Sequence, residues 1–502
     1  MKKMTTRYIV LCAAILLASC SDFLTEKPKV QLVEEDLFTD DKKIGYAVDG
    51  LLTQWRNTRQ DRGALILCLG TDESQQGGQQ VRENSTQAAL DKYDAALDAP
   101  NSTIADLWNK RWPIIATAAK VYHFATSNEL KAYGAFLRGT LTFESAMFWG
   151  EVPLISVENN RQARQPLADV YASIISDLEF AGQYLPEEQT DLKRPTRYAA
   201  LALLGKVYMA IPEGAGTRDY AKALEYFDQV IPHYTLVSDY KRIFDAEQNQ
   251  NLSESIYSFQ FRNAQPDNSM AEHHAGSRAV ANLDGNVYFG GYDLALPTEY
   301  YYSDVEDGGV WEAGDTRKLA SIRYDLTLPD GRVPTLTWTG QQDELGPHTR
   351  KFEDIRTNGK VNFWNGGSIM PYLRLADILL CKGECLNELD QTGAAVDLVN
   401  TTVRTRAFGG SLTAEQTWST GMSQSDFRVN ILDERMRELA FEGWRRMDLI
   451  RTNNLVSLVK ARNIWAGGTD GRIDAHHVLY PIPDTEIKLN EFIDVDDQNP
   501  GY

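Results

Sequence analysis

The stretch TRYAALALLGKVYMAIPEGAGTRDYAKALEYFDQVI, Thr196 to Ile231, carries two helical patterns separated by a glycine-containing connection. In the first, Leu204-Gly205 is followed by Tyr208 three residues after the glycine; in the second, Ala223 is followed by Phe227 four residues on. Spacings of three and four put side chains on one face of a helix. A glycine on that face lets a second helix approach closely, and Tyr208 and Phe227 are large enough to fill the gap. The stretch therefore predicts a pair of packed helices, one unit of a stacked array.

The order L-G-x-x-Y then A-x-x-x-F is that of a tetratricopeptide unit, although the connection PEGAGTR is longer than the consensus turn. Helical periodicity extends on both sides of this unit. ADLWNKRWPIIATAAKVYHFA, AYGAFLRGTLTFESAMFWG and PLADVYASIISDLEFAGQYLP precede it, with Gly150 and Pro153 stopping the second of these. YLRLADILLCKGECLNELD, AAVDLVNTTVRTRAF and DERMRELAFEGWRRMDLIR (Asp433 to Arg451) follow it. Between about Pro232 and Ile369 the periodicity gives way to glycine, asparagine, proline and aromatic residues, with short alternating runs such as SIYSFQF that read as strands. Loops this long in a compact protein carry function or small elements of their own.

A chain of 502 residues suffices for two or three domains or one large elaborated one. With 43% hydrophobic and 24% charged residues it has the composition of a folded protein. The formal charge of −19 argues against nucleic acid, whose phosphates need a basic face, and favours neutral partners.

The chain begins MKKMTTRYIVLCAAILLASC, with Lys2, Lys3 and Arg7 ahead of an apolar run from Tyr8 to Ala18. That run is too short for a bilayer, which takes about 20 residues, so residues 1–19 read as an export signal. Leu17-Ala18-Ser19-Cys20 resembles the lipobox of bacterial lipoproteins, in which cleavage leaves an acylated cysteine, here Cys20, as the new amino terminus. Each buried methylene contributes roughly 0.8 kcal/mol, so several acyl chains hold a protein on a membrane. Cys381 and Cys385 lie four apart on a predicted helix and read as small core side chains, since no second Cys/His pair completes a metal set.

No P-loop, HExxH, GxSxG elbow or dinucleotide-binding GxGxxG occurs. His273-His274 and His476-His477 are adjacent, and neighbours in extended backbone point opposite ways, which suits a shared metal poorly. Glu434, Glu438 and Glu442 fall four apart on one face of a predicted helix. Such carboxylates could serve a glycosidase or a di-iron site, but the Glu-x-x-His partners of the latter are lacking. Arg435, Arg437, Arg445, Arg446 and Arg451 are ready countercharges that fork onto carboxylates. The cluster therefore reads as structural, and no catalytic residue, metal or cofactor is expected.

Six segments in order resemble the SusD/RagB family of outer-membrane nutrient-binding lipoproteins of Bacteroidetes-type bacteria. They are the lipobox with CSDFLTEKP, FLRGTLTFESAMFWGEVPLI, DLEFAGQYLP, YLRLADILLCKGECLNEL, ILDERMRELAFEGWRRMDLIR, and LYPIPDTEI with the final QNPGY. The resemblance implies an all-α, tetratricopeptide-like scaffold of about four helix pairs with an irregular, loop-rich lobe and a few short strands. It divides the chain into an amino-terminal region, 20–231, and a carboxy-terminal region, 232–502, holding the lobe and the closing helices. It also implies a surface lid on a SusC-like TonB-dependent transporter that captures oligosaccharides for import and is not an enzyme.

Sugar rings offer apolar C–H faces to aromatic side chains and hydroxyl edges to polar ones. GTDESQQGGQQVREN, Gly70 to Asn84, resembles the family's binding-loop region and offers Asp72, Gln75, Gln76, Gln79 and Gln80. DGNVYFGGYD, Asp284 to Asp293, offers Tyr288, Phe289 and Tyr292. Trp311, Trp338 and Trp364 sit in glycine-containing loops, and Trp311 is counted with the expected site. The first loop contains no tryptophan, a departure from a starch binder. Tyr300, Tyr301 and Tyr302 read as packing residues at a helix start. Two other classes stay open: a peptide-binding member or protein-binding tetratricopeptide scaffold, and an all-α glycoside hydrolase, which would need a carboxyl pair at a cleft.

Overall fold

The computed structural model describes residues 34–77, 85–158, 161–276, 291–324, 347–354, 364–467 and 472–502, with a few single positions between. The expected signal and Cys20 lie outside the described residues. Eight helices pack as four pairs: α1 (Asp41–Asn57) with α2 (Trp112–Phe124), α3 (Asn128–Trp149) with α4 (Leu167–Tyr184), α5 (Arg197–Ala210) with α6 (Tyr220–Val230), and α7 (Leu375–Glu388) with α8 (Thr392–Val399). Each pair also touches the next, so the expected tetratricopeptide-like scaffold is the observed one. Sequence sets the helix ends. Asp40 caps α1 by accepting from the Lys43 N–H at 3.0 Å, Asp219 caps α6 through Lys222 at 2.8 Å, and α3 stops at Gly150, whose φ is +74°.

The α5–α6 contact is made by Gly205. A Cβ built there would lie 2.2 Å from Cε1 of Phe227, a ring with no exposed surface. Tyr208 packs across the same interface, its ring stacked on that of Tyr226 of α6 with centroids 5.8 Å apart. Between α6 and α7 the chain makes the loop-rich lobe, whose longest strand pair among the described residues is Ser255–Phe259 against Met370–Arg374, antiparallel. The YLR that reads as helical is thus the end of a strand, and α7 begins only at Leu375. Trp55 of α1 anchors this strand pair to the scaffold. It stacks on Tyr257 at 5.2 Å and meets Phe259 and Tyr372 edge-on at 4.9 and 5.1 Å.

The charged stretch Asp433 to Arg451 is not one helix. Helix α9 (Gln424–Leu439) ends, the chain turns through Phe441 and Gly443 with φ of +64° and +84°, and α10 (Arg445–Arg451) follows. Glu442 therefore leaves the face it was expected to share with Glu434 and Glu438. All three carboxylates nevertheless pair with cations. Arg317, Lys351, Arg374, Arg404, Arg406 and Arg437 meet Glu254, Glu312, Asp315, Glu434, Glu438 and Glu442 in a largely buried network, six charges against six. Among the described residues, equal numbers of the two signs balance the buried charge.

Left-handed backbone at an aromatic residue is rare, so Phe441 needs external support. Its N–H donates to Oε1 of buried Glu73 at 3.1 Å, and its ring packs against Tyr301, centroids 5.8 Å apart. Burial pushes the Glu73 carboxyl up to about 8 despite the opposing charge of Arg445. The fold thus keeps a proton that the unfolded chain releases near pH 4 to 5, and stability declines as pH rises toward 8. Glu73→Gln retains the acceptor for Phe441 and removes the titration. Its unfolding free energy is expected to match the parent's near pH 4 and to exceed it by more than about 1 kcal/mol at pH 8. Equal pH slopes for the two proteins would show that Glu73 is ionised in the fold.

Candidate functional site

Several loop segments, with Arg62 from the chain just past α1, converge on one aromatic patch. Ser74–Gln75 pairs antiparallel with Leu296–Pro297, and the Gly77 N–H donates to the Asp293 carbonyl at 2.8 Å, so the first expected loop runs beside Tyr292. The short helix Ala271–Ala275 brings His273 and His274 underneath. The Tyr292 ring lies 4.8 Å from that of His273 and 5.5 Å from that of His274, while Trp364 lies 4.0 Å from His273. Arg62, just past α1, sets its guanidinium 5.6 Å from the centre of the Tyr292 ring. Asn268 fixes the Trp364 backbone by donating to its carbonyl at 2.7 Å.

Trp364 is 39% exposed, whereas Trp55, Trp108, Trp149, Trp311 and Trp444 are buried. A flat ring held from behind and open in front can cover the C–H face of a sugar with little ordering cost. Gln75 and Gln76 lie on the segment paired beside Tyr292. Both are fully buried, and neither side-chain amide finds a hydrogen-bond partner among the described residues. Burial, reinforced by Arg62, lowers the His274 imidazole to about 4, which leaves it uncharged at neutral pH.

Two expected ligand contacts are buried and already partnered. Asp72 has no exposed surface: Nε and Nη2 of Arg445 fork onto its two oxygens at 2.7 Å each, and Arg462 adds a third bond at 2.9 Å. Burial raises its pKa, but the two guanidiniums outweigh burial and hold it below the ordinary value. Trp311 is also buried, and its indole N–H donates to the Tyr301 carbonyl. Tyr301 itself is buried in the turn Glu299–Tyr302 that Thr298 caps, as a packing residue would be. Gln79, Gln80, Tyr288, Phe289 and Trp338 lie outside the described residues. Of the expected set, Tyr292 lies in the patch, while Gln75 and Gln76 are buried on the segment that runs beside it. Arg62 was not expected there, and the histidine pair, weighed only as a metal site, backs the patch.

A separate cleft lies elsewhere. About 430 Å³ in volume, it is bordered by Glu187, Arg194, Tyr198, His233, Asn249 and Gln260, and shares no lining residue with the patch. Tyr198 and His233 stack on each other at 4.0 Å, so Tyr198 has one face covered.

Comparison with known proteins places this architecture. A profile of the SusD family matches residues 299–502, and one described as starch-binding associating with outer membrane matches residues 22–209. The chain belongs to the SusD family. A SusD-like protein of Formosa agariphila is 26% identical to it over 540 residues, covering 100% of both chains. Starch-binding protein SusD of Bacteroides thetaiotaomicron is 24% identical over 415 residues, 73% of this chain and 72% of that one. Surface glycan-binding protein A from Bacteroides thetaiotaomicron, solved in complex with laminarihexaose, superposes with a TM-score of 0.73 at 21% identity, over 92% of this chain and 100% of that one.

Proposed function

We propose that this SusD-family protein captures a neutral oligosaccharide on the Tyr292–Trp364 patch at the cell surface. A lipid on Cys20 holds it to the outer membrane, and a SusC-like TonB-dependent transporter receives the sugar. The observation that carries the reading is the exposed indole of Trp364, backed by His273 and flanked by Tyr292. Relatives named for starch binding and for a laminarihexaose complex support the ligand class. Binding rather than hydrolysis fits the carboxylates of α9, which salt bridges to arginine hold in place.

Affinity electrophoresis against starch, laminarin and other neutral polysaccharides tests the proposal. The parent is expected to be retarded by one of them. Trp364→Ala and Tyr292→Ala should each weaken binding about tenfold or more, as loss of a central aromatic anchor does, with thermal midpoints unchanged. Full retention of binding in both variants would move the site elsewhere. Failure of every neutral polysaccharide, with a barrel partner still copurifying, would favour the protein-binding scaffold. Release of Cys20→Ala from the membrane fraction is the expected result for the anchor.

A further inference from the structure

The second histidine pair behaves differently from what extended backbone implies. Ala475–Val478 forms a 3-10 turn, so His476 and His477 project to the same side, ring centroids 3.7 Å apart. Asp474 caps the turn by accepting from the His476 N–H at 3.1 Å, and the same oxygen lies 3.4 Å from Nδ1 of His477 and in contact with Nδ1 of His476. One ligand atom from each of the three residues falls within 4.8 Å of the others, the only such group of His, Cys, Asp and Glu side chains among the described residues.

We propose that Asp474, His476 and His477 form a site for one nitrogen-preferring divalent transition metal, Zn2+ first among them. Two imidazole nitrogens and one carboxylate oxygen suit Zn2+, Ni2+ or Cu2+, whereas Ca2+ asks for six to eight oxygens. Three protein ligands leave an open position for water, and Asp474 and His476 are exposed enough to admit it.

The ring of His476 is already held in place. A Cβ at Gly501 would come 2.6 Å from its Cγ, and the Tyr502 ring stands edge-on to it at 5.0 Å. Tyr502 is fixed in turn by its hydroxyl, which donates to the Leu479 carbonyl at 2.9 Å. Two features limit affinity. The Asp474 N–H donates to Nδ1 of His477 at 3.0 Å, so a metal at that nitrogen displaces a capping bond. Arg446, bonded to the His477 carbonyl at 2.7 Å, brings a positive charge beneath the site. The site is therefore weaker than a closed structural zinc centre, and its ligands lie too close in sequence to tie distant segments together.

Titration of the tag-free full chain with ZnCl2 by calorimetry, and with Co2+ by visible absorption, tests this. One ion per chain is expected, and His476→Ala and Asp474→Asn should each weaken it about tenfold or more while the metal-free thermal midpoint stays put. His476 is the variant of choice because its side chain is partly exposed, so its loss leaves the core intact. Absence of binding at millimolar Zn2+ would overturn the site. Binding that survives both substitutions would also overturn it and direct attention to His273 and His274, whose rings lie 5.4 Å apart.

Discussion

Glu438→Ala is expected to destabilise the protein by about 3–5 kcal/mol, the range for removing one partner from a buried ion pair. Glu438 has no exposed surface and accepts from three guanidiniums: Arg317 at 2.9 Å, and Arg374 and Arg406 on its other oxygen. Removing it strands positive charge that burial denies to water. A loss of this size is a large share of the 5–15 kcal/mol that holds a typical fold, so expression itself should fall. Glu438→Gln, which keeps an acceptor and removes the charge, should lie between the parent and Glu438→Ala. The pH dependence carries the same signature. Burial alone would raise the Glu438 and Glu434 carboxyls, but Arg406, Arg374 and Arg317 around the first, and Arg317, Arg437 and Arg404 around the second, hold both well below the ordinary range. The stability they contribute is complete above about pH 5 and is lost as pH falls toward their folded values. The acid limb should therefore flatten in Glu438→Gln. Chemical denaturation at pH 7 and pH 4 measures both effects; a loss below about 1 kcal/mol at pH 7 would mean the network carries little net stability.

How much of this was legible in the sequence varies with the range of the interaction. Helix existence was readable, because 3.6-residue periodicity and glycine stops are local signals, and the α5–α6 unit was readable from Gly205 and Phe227. The break at Ala440 was not. Phe441 adopts a left-handed conformation because Glu73, more than 350 residues away in the chain, accepts its N–H, and no window of sequence contains that bond. The strand Met370–Arg374 was hidden for a related reason: it is buried against Ser255–Phe259, so its apolar pattern continues without a break into α7. For the site, composition identified the loops but not the orientation of their side chains. Asp72 looked like a ligand group because it sits in a polar loop; Arg445 and Arg462, which neutralise it, come from the far end of the chain. Arg62 and Trp364 reach the patch only through tertiary packing.

The repeat reading itself can be tested by a substitution whose sign depends on helix contact. In an isolated helix Gly→Ala stabilises by about 1 kcal/mol, since alanine loses less backbone freedom. At Gly205 the new methyl carbon would sit 2.2, 2.6 and 2.7 Å from three atoms of the Phe227 ring. That ring is fully buried and rigid, so it cannot swing aside, and the helices must separate or Phe227 must leave its rotamer. Overpacking of this kind costs about 1–3 kcal/mol and sometimes more, which outweighs the propensity gain. Gly205→Ala is therefore expected to lower stability by about 2 kcal/mol. Gly50, on the exposed face of α1, supplies the matched comparison: a Cβ there meets nothing within 4 Å, so Gly50→Ala should raise stability. Adding Phe227→Leu to Gly205→Ala should recover part of the loss, because a smaller side chain makes room for the methyl. If both glycine substitutions stabilised alike, Gly205 would not face Phe227 and the α5–α6 pair would not pack as a tetratricopeptide unit.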